Sequence, residues 1–86
     1  MNAVTNVKVV KPYVIEITFA DGVRRRVDVE PLLYGEMFEP LRSEALFRQV
    51  AVDDELGTIV WPNGADLSPE FLYEAQPESV GNPDPR

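Results

Sequence analysis

Neither cysteine nor histidine occurs among the 86 residues of this chain, and each absence closes a class of chemistry. Without histidine no side chain titrates near neutral pH at its ordinary pKa. Without cysteine as well, the soft metal ligands and the thiolate nucleophile are missing, which excludes zinc sites and Ser-His or Cys-His catalysis. The lack of cysteine also rules out a disulfide framework and fits a reducing cytoplasm. No apolar run approaches the roughly 18 residues that span a bilayer. The opening Met1-Asn2-Ala3-Val4-Thr5-Asn6 has no basic patch ahead of an apolar stretch, the mark of a secretory signal. The expectation is a cytoplasmic protein without a membrane partner. Positive charge is scarce too, 8 basic residues against 15 acidic for a net charge of −7. Binding along a phosphate backbone depends on clustered Lys and Arg, so direct nucleic-acid binding is not expected, and basic or neutral partners suit this surface better.

What is present is a small globular composition, 44% hydrophobic and 27% charged. Residues 1–76 read as a single domain and 77–86 as a flexible, Pro-rich C-terminal tail with little to bury. Thr5, Val7 and Val9 alternate on a first strand. Tyr13, Ile15, Ile17 and Phe19 do so on a second, and Val23, Arg25, Val27 and Val29 on a third. Directly opposed residues must share a face, which fixes the second register. A two-residue Asp21-Gly22 turn would mix the faces. A three-residue loop, Ala20-Asp21-Gly22, instead sets Phe19 against Val23, Ile17 against Arg25, Ile15 against Val27 and Tyr13 against Val29, with Glu16 opposite Arg26. Gly22 then takes the position that needs positive φ. Arg25 alone breaks the apolar face and is expected to run its guanidinium out to water along its stem. Lys11-Pro12 separates the first two strands, and parity asks for a loop of three or five residues there.

Glu30 to Gly35 reads as one helical turn with Pro31 at its first position. Ser43 is placed to cap a helix of about two turns, from which Leu46, Phe47 and Val50 point inward. A second hairpin follows, with Val52 opposite Ile59, Val50 opposite Trp61 and Gly57 at its corner. Pro62-Asn63-Gly64 stops the fifth strand. Ser68 caps the last helix with Pro69 and Glu70 in its first turn, and Leu67 is placed to pack on Leu72. The fold class is therefore α+β: an antiparallel sheet built from a three-stranded N-terminal meander and a second hairpin, with two short helices on one face.

Phe19-Ala20-Asp21-Gly22, Phe38-Glu39-Pro40-Leu41 followed by Phe47, and Trp61-Pro62-Asn63-Gly64-Ala65-Asp66-Leu67 with its Pro-Glu-x-Leu-Tyr helix give the chain a family likeness. In order and spacing they resemble the prokaryotic domain of unknown function twenty-four forty-two over about residues 4 to 75. The resemblance implies a small α+β fold with helices over an antiparallel sheet and no established enzymatic activity. Some relatives carry the domain ahead of a helix-turn-helix segment, and others lie beside a second small protein in a toxin–antitoxin-like arrangement. Both contexts imply a protein-contact module. This sequence, ending at Arg86, shows no helix-turn-helix segment, so DNA binding is not carried over.

Carboxylates remain as candidate chemistry. Asp53-Asp54-Glu55 lacks the spacing of an EF-hand loop and falls in a hairpin turn. Alternation sends Arg25 to the face opposite Arg24 and Arg26, which breaks up any phosphate patch, and the glycines sit singly in separate turns. The candidate ligand or partner turn is Trp61, Asn63, Gly64 and Asp66, a polar turn beside a large aromatic. Its competing reading is structural: a core tryptophan, turn-forming Asn63-Gly64, and Asp66 bonding nearby amides. No catalytic residue, metal ligand or cofactor is assigned. The functional expectation is a non-enzymatic interaction domain whose partner is another small protein or a second copy of the chain. The alternative is a small-molecule or cation sensor using the Asn63 to Asp66 turn.

Overall fold

The computed structural model describes residues 2–75, and the tail at 77–86 lies outside them. Six strands and three short helices run in the order β1 (Val4–Lys11), β2 (Val14–Phe19), β3 (Arg24–Asp28), α1 (Gly35–Phe38), α2 (Glu44–Phe47), β4 (Ala51–Asp53), β5 (Thr58–Val60), β6 (Asp66–Leu67) and α3 (Pro69–Glu74). Single 3-10 turns at Glu30–Leu32 and Glu39–Arg42 lie between β3 and α2. The class is α+β, and the strands form two antiparallel sheets, β1-β2-β3 and β4-β5-β6.

The meander has the register that parity demands. Ile15 faces Val27, Ile17 faces Arg25 and Glu16 faces Arg26. Phe19 donates its amide to the Val23 carbonyl at 2.9 Å, and the Gly22 amide returns to Phe19 at 2.9 Å. Gly22 has φ +88°, where a side chain would meet its own backbone. The β1–β2 connection is tighter than parity alone suggests. Val9 faces Ile15, but a register shift follows and Lys11 faces Val14, leaving a turn of Pro12 and Tyr13. Tyr13 lies in this turn, not in β2, with φ 67°. Its ring packs edge-on against Phe47 at 5.3 Å and its hydroxyl donates to the Arg42 carbonyl. A second shift in β1 falls between Val4 and Asn6. An inserted residue moves the inward position by one, so Val4 is buried and Thr5 exposed.

Arg25 also departs from expectation. Its Nε donates to the Tyr73 carbonyl at 3.1 Å and its guanidinium carbon sits 5.2 Å from the Tyr73 ring centre. The cation is docked under α3 instead of reaching open water.

The second half is built from shorter pieces. Ser43 accepts the Leu46 amide as a cap, but α2 lasts four residues, one turn and not two. Val52 faces Ile59 across β4 and β5, and Gly57 turns the corner at φ 70°. The strand does not stop for good at Pro62-Asn63-Gly64. The chain reverses and β6 returns along β5, with Leu67 opposite Ile59. Ser68 accepts the Phe71 amide at 3.1 Å to start α3. Both sheets feed one core, in which Ile15, Ile17, Phe19 and Val27 meet Phe47, Ile59, Trp61 and Leu72. The opposite face of the first sheet carries rows of opposed residues, Asn6-Thr18-Arg24, Lys8-Glu16-Arg26 and Lys11-Val14-Asp28.

Candidate functional site

The Trp61 to Asp66 segment repeats the first hairpin turn in another sequence. The Trp61 amide donates to the Ala65 carbonyl and the Gly64 amide to the Trp61 carbonyl, each at 2.9 Å. Gly64 has φ +95°. Asn63 Oδ1 accepts the Ala65 amide at 3.1 Å, as Asp21 Oδ1 accepts the Val23 amide at 3.0 Å. A side chain that bonds the backbone two residues on stabilises the turn itself. Asn63 has a further role: its Nδ2 donates to the Met37 carbonyl at 2.9 Å, joining the turn to α1.

Trp61 points the other way. It is 2% exposed, its Nε1 donates to the Phe47 carbonyl at 3.0 Å, and its ring lies 6.1 Å from Phe38 and 5.8 Å from Phe47. The four candidates therefore share a turn without converging on a ligand-sized space. Trp61 belongs to the core, Asn63 is engaged twice, and Gly64 supplies only conformation. Asp66 is exposed on β6.

Met37, which sequence reasoning passed over together with Tyr34, stands beside this turn, and Tyr34 directly precedes α1. Met37 is 45% exposed and Tyr34 70%, and a Cβ added at Gly64 would lie 3.4 Å from the Met37 methyl. A signal for them exists. Leu32, Leu33, Tyr34, Met37, Phe38 and Leu41 crowd one short helical region, more apolar side chains than a single inward stripe can bury. Leu33 and Leu41 take the core positions.

A second polar cluster joins the β2–β3 turn to α3. Asp21 Oδ2 accepts from the Tyr73 hydroxyl and from Asn2 Nδ2, each at 3.0 Å. The Val23 amide, and then these two donors, hold the Asp21 carboxyl below its ordinary pKa. Tyr73 is pushed up, first because it donates to Asp21 and also by partial desolvation and the Asp21 charge. A cleft of about 290 Å³ opens beside it, lined by Asn2, Pro69, Glu70, Tyr73 and Glu74. Asp53 is a turn residue, its Oδ1 accepting the amides of Glu55 and Leu56 at 2.9 and 3.0 Å. Among the described residues no three acidic side chains are grouped to hold a metal ion, and no helix is long and apolar enough to cross a membrane.

Comparison with family models matches residues 4–78 to the family described as Protein of unknown function (DUF2442). The chain belongs to this family. No curated protein and no solved structure matches it. The matched span of this DUF2442 domain takes in the Asn63 turn, Tyr34, Met37, Asp21 and Tyr73, so both polar clusters are part of the family's own region and only Asn2 of the cleft lies outside it.

Proposed function

We propose that this DUF2442 domain is a non-enzymatic, cytoplasmic protein-interaction module of a prokaryotic cell, one partner of a small two-protein system of the toxin–antitoxin or regulatory kind. The observation that carries this reading is two exposed side chains, Tyr34 directly before α1 and Met37 within it, with the Met37 carbonyl tied to the Asn63 turn. Aromatic residues and methionine are enriched at protein interfaces, and a surface fixed by a core-anchored turn loses little entropy on binding. The sequence's lack of histidine and cysteine fits a role without catalysis.

Affinity purification from the native host tests the reading. The wild-type chain should recover one small protein in fixed ratio, and a Tyr34→Ser/Met37→Ser variant should lose it. Both sites are on the surface, so the variant's stability should stay within about 0.5 kcal/mol of wild type. Recovery of free monomer alone, at low and high salt, would sink the proposal. The sensor alternative is weaker, because Asn63 is already engaged and only Asp66 offers an exposed carboxylate at the turn. A thermal-shift screen with metabolites and divalent cations separates the two, since a ligand at 100 times its Kd adds about 2.7 kcal/mol.

A further inference from the structure

The turn after Trp61 makes two demands on its residues, and together they place an asparagine directly before a glycine. Position 64 has φ +95°, a conformation that glycine alone takes without strain. Position 63 accepts the Ala65 amide at 3.1 Å and donates to the Met37 carbonyl at 2.9 Å, which one asparagine does with the two ends of its side chain. Asn-Gly is the pair in which an asparagine loses its amide most readily, because the following backbone nitrogen attacks the side-chain carbonyl and glycine has no Cβ to obstruct the ring that forms. Nowhere else in the chain does glycine follow asparagine: Asn2, Asn6 and Asn82 precede Ala3, Val7 and Pro83. Asn63 and Gly64 are both exposed, so water and base reach them.

We propose that Asn63 is a site of spontaneous deamidation, gated by opening of its own turn, and that the change detaches α1 from the β5–β6 loop while leaving the core in place. The Gly64 nitrogen gives its proton to base and bonds to the Asn63 side-chain carbon, and the amide nitrogen of that carbon takes up a proton and leaves as ammonia. Water then opens the cyclic imide at either carbonyl, giving aspartate or isoaspartate. The folded turn opposes the first step. The Gly64 amide donates to the Trp61 carbonyl at 2.9 Å, and both ends of the Asn63 side chain are engaged. Three hydrogen bonds must open together, which slows the reaction about a hundredfold relative to the unfolded chain. Once formed, an aspartate at this position still accepts the Ala65 amide, as Asp21 accepts that of Val23 at 3.0 Å. It has no N–H to offer Met37, and it sets a negative charge against that carbonyl in a chain already at −7. Isoaspartate also lengthens the loop backbone by one carbon. The inference rests on the chemistry of the turn and needs no partner at Tyr34 or Met37, so it and the proposed function can fail separately.

The test incubates the full chain at mildly alkaline pH, folded and in urea, and follows each asparagine by peptide mass spectrometry. Asn63 should convert ahead of Asn2, Asn6 and Asn82 in both states, and about a hundredfold more slowly in the folded chain. Conversion led by another asparagine, equal rates in the two states, or Asn63 intact in the folded chain after the time that the slowed rate needs would each overturn the site or its gating. Hydrogen exchange on an Asn63→Asp variant reads the consequence. The Glu39 amide, which closes α1 by donating to the Gly35 carbonyl, should exchange about fivefold faster than in the wild type while Ile15 and Ile17 are unchanged. Unchanged exchange at Glu39, or faster exchange at Ile15 and Ile17 as well, would overturn the detachment.

Discussion

Aspartate at position 21 and asparagine at position 63 do one job in two hairpins, each accepting the amide two residues on. The difference is charge, and it has a consequence at Asp21. Its carboxyl sits below its ordinary pKa while Tyr73, its donor, sits above. For the depressed acid, the stabilising share is fully present above the unfolded-chain value of about 3.9. It is lost as pH falls through the lower folded value. For the raised phenol, the share is fully present below about pH 10 and is lost as pH rises through the higher folded value. Asp21→Asn keeps the turn, as Asn63 shows, but removes the charge. The variant should therefore lose Asp21's part of the acid limb. The tyrosine that titrates late in the wild type should also move back toward its ordinary value, read from tyrosinate absorbance. A variant titration curve that overlays the wild type would rule this out. Asn63→Ala acts differently, since it cuts the bond to the Met37 carbonyl and so loosens α1 and the exposed Tyr34–Met37 pair without touching the core.

The two three-residue hairpin loops show at the level of elements how similar turns acquire different duties. Pro62 stands at the first position of the β5–β6 loop and Ala20 at the same position of the β2–β3 loop. Turn chemistry alone favours proline at both, worth about 0.4–1 kcal/mol through the unfolded chain. At position 20 the amide is in use, donating to the Ala3 carbonyl at 2.8 Å and tying the start of β1 to the hairpin. Ala20→Pro should thus destabilise the domain by about 1 kcal/mol, measured as a lower urea midpoint at unchanged m value. A higher midpoint would mean that this tie contributes nothing. The comparison also explains what the sequence made legible. Parity fixed the β2–β3 pairing because long alternating runs leave one register that keeps both faces consistent. The caps at Ser43 and Ser68 and the corners at Gly22 and Gly57 follow from local steric and hydrogen-bonding rules. β6 was not legible, because a strand of two residues has no period to detect. Nor was the separation into two sheets, since which strands become neighbours is decided by packing between distant segments. At the candidate turn the local chemistry was readable, whereas the Asn63 bond to Met37, 26 residues away, was not.

Two sheets that share no ladder could melt one after the other, and the position of Trp61 is expected to oppose this in the whole molecule. This residue leaves β5, bonds the Phe47 carbonyl at the end of α2 and packs against the rings of both Phe38 and Phe47. Phe47 in turn carries the Tyr13 ring from the β1–β2 turn. The Val4 amide adds a second link, donating to the Gly57 carbonyl at the β4–β5 corner. Core contacts therefore run from one sheet to the other without a polar break. A domain of this size has only about 5–10 kcal/mol of stability to lose, so removing the bridge should be felt everywhere. Trp61→Phe strips volume from the core and takes the stronger of two donors from the Phe47 carbonyl, leaving only the Val50 amide at 3.3 Å. Together these should cost about 2–4 kcal/mol. In the wild type, urea unfolding followed by the fluorescence of this single tryptophan, which reports the second sheet, should coincide with the loss of amide protection at Ile15 and Ile17 in the first. In the variant, circular dichroism should show one transition at lower urea with the slope preserved, because a shared core weakens as a unit. If the β4-β5-β6 sheet instead melts ahead of the meander in the wild type, the core is two cores in contact. Trp61 would then be a local anchor and not the bridge between them.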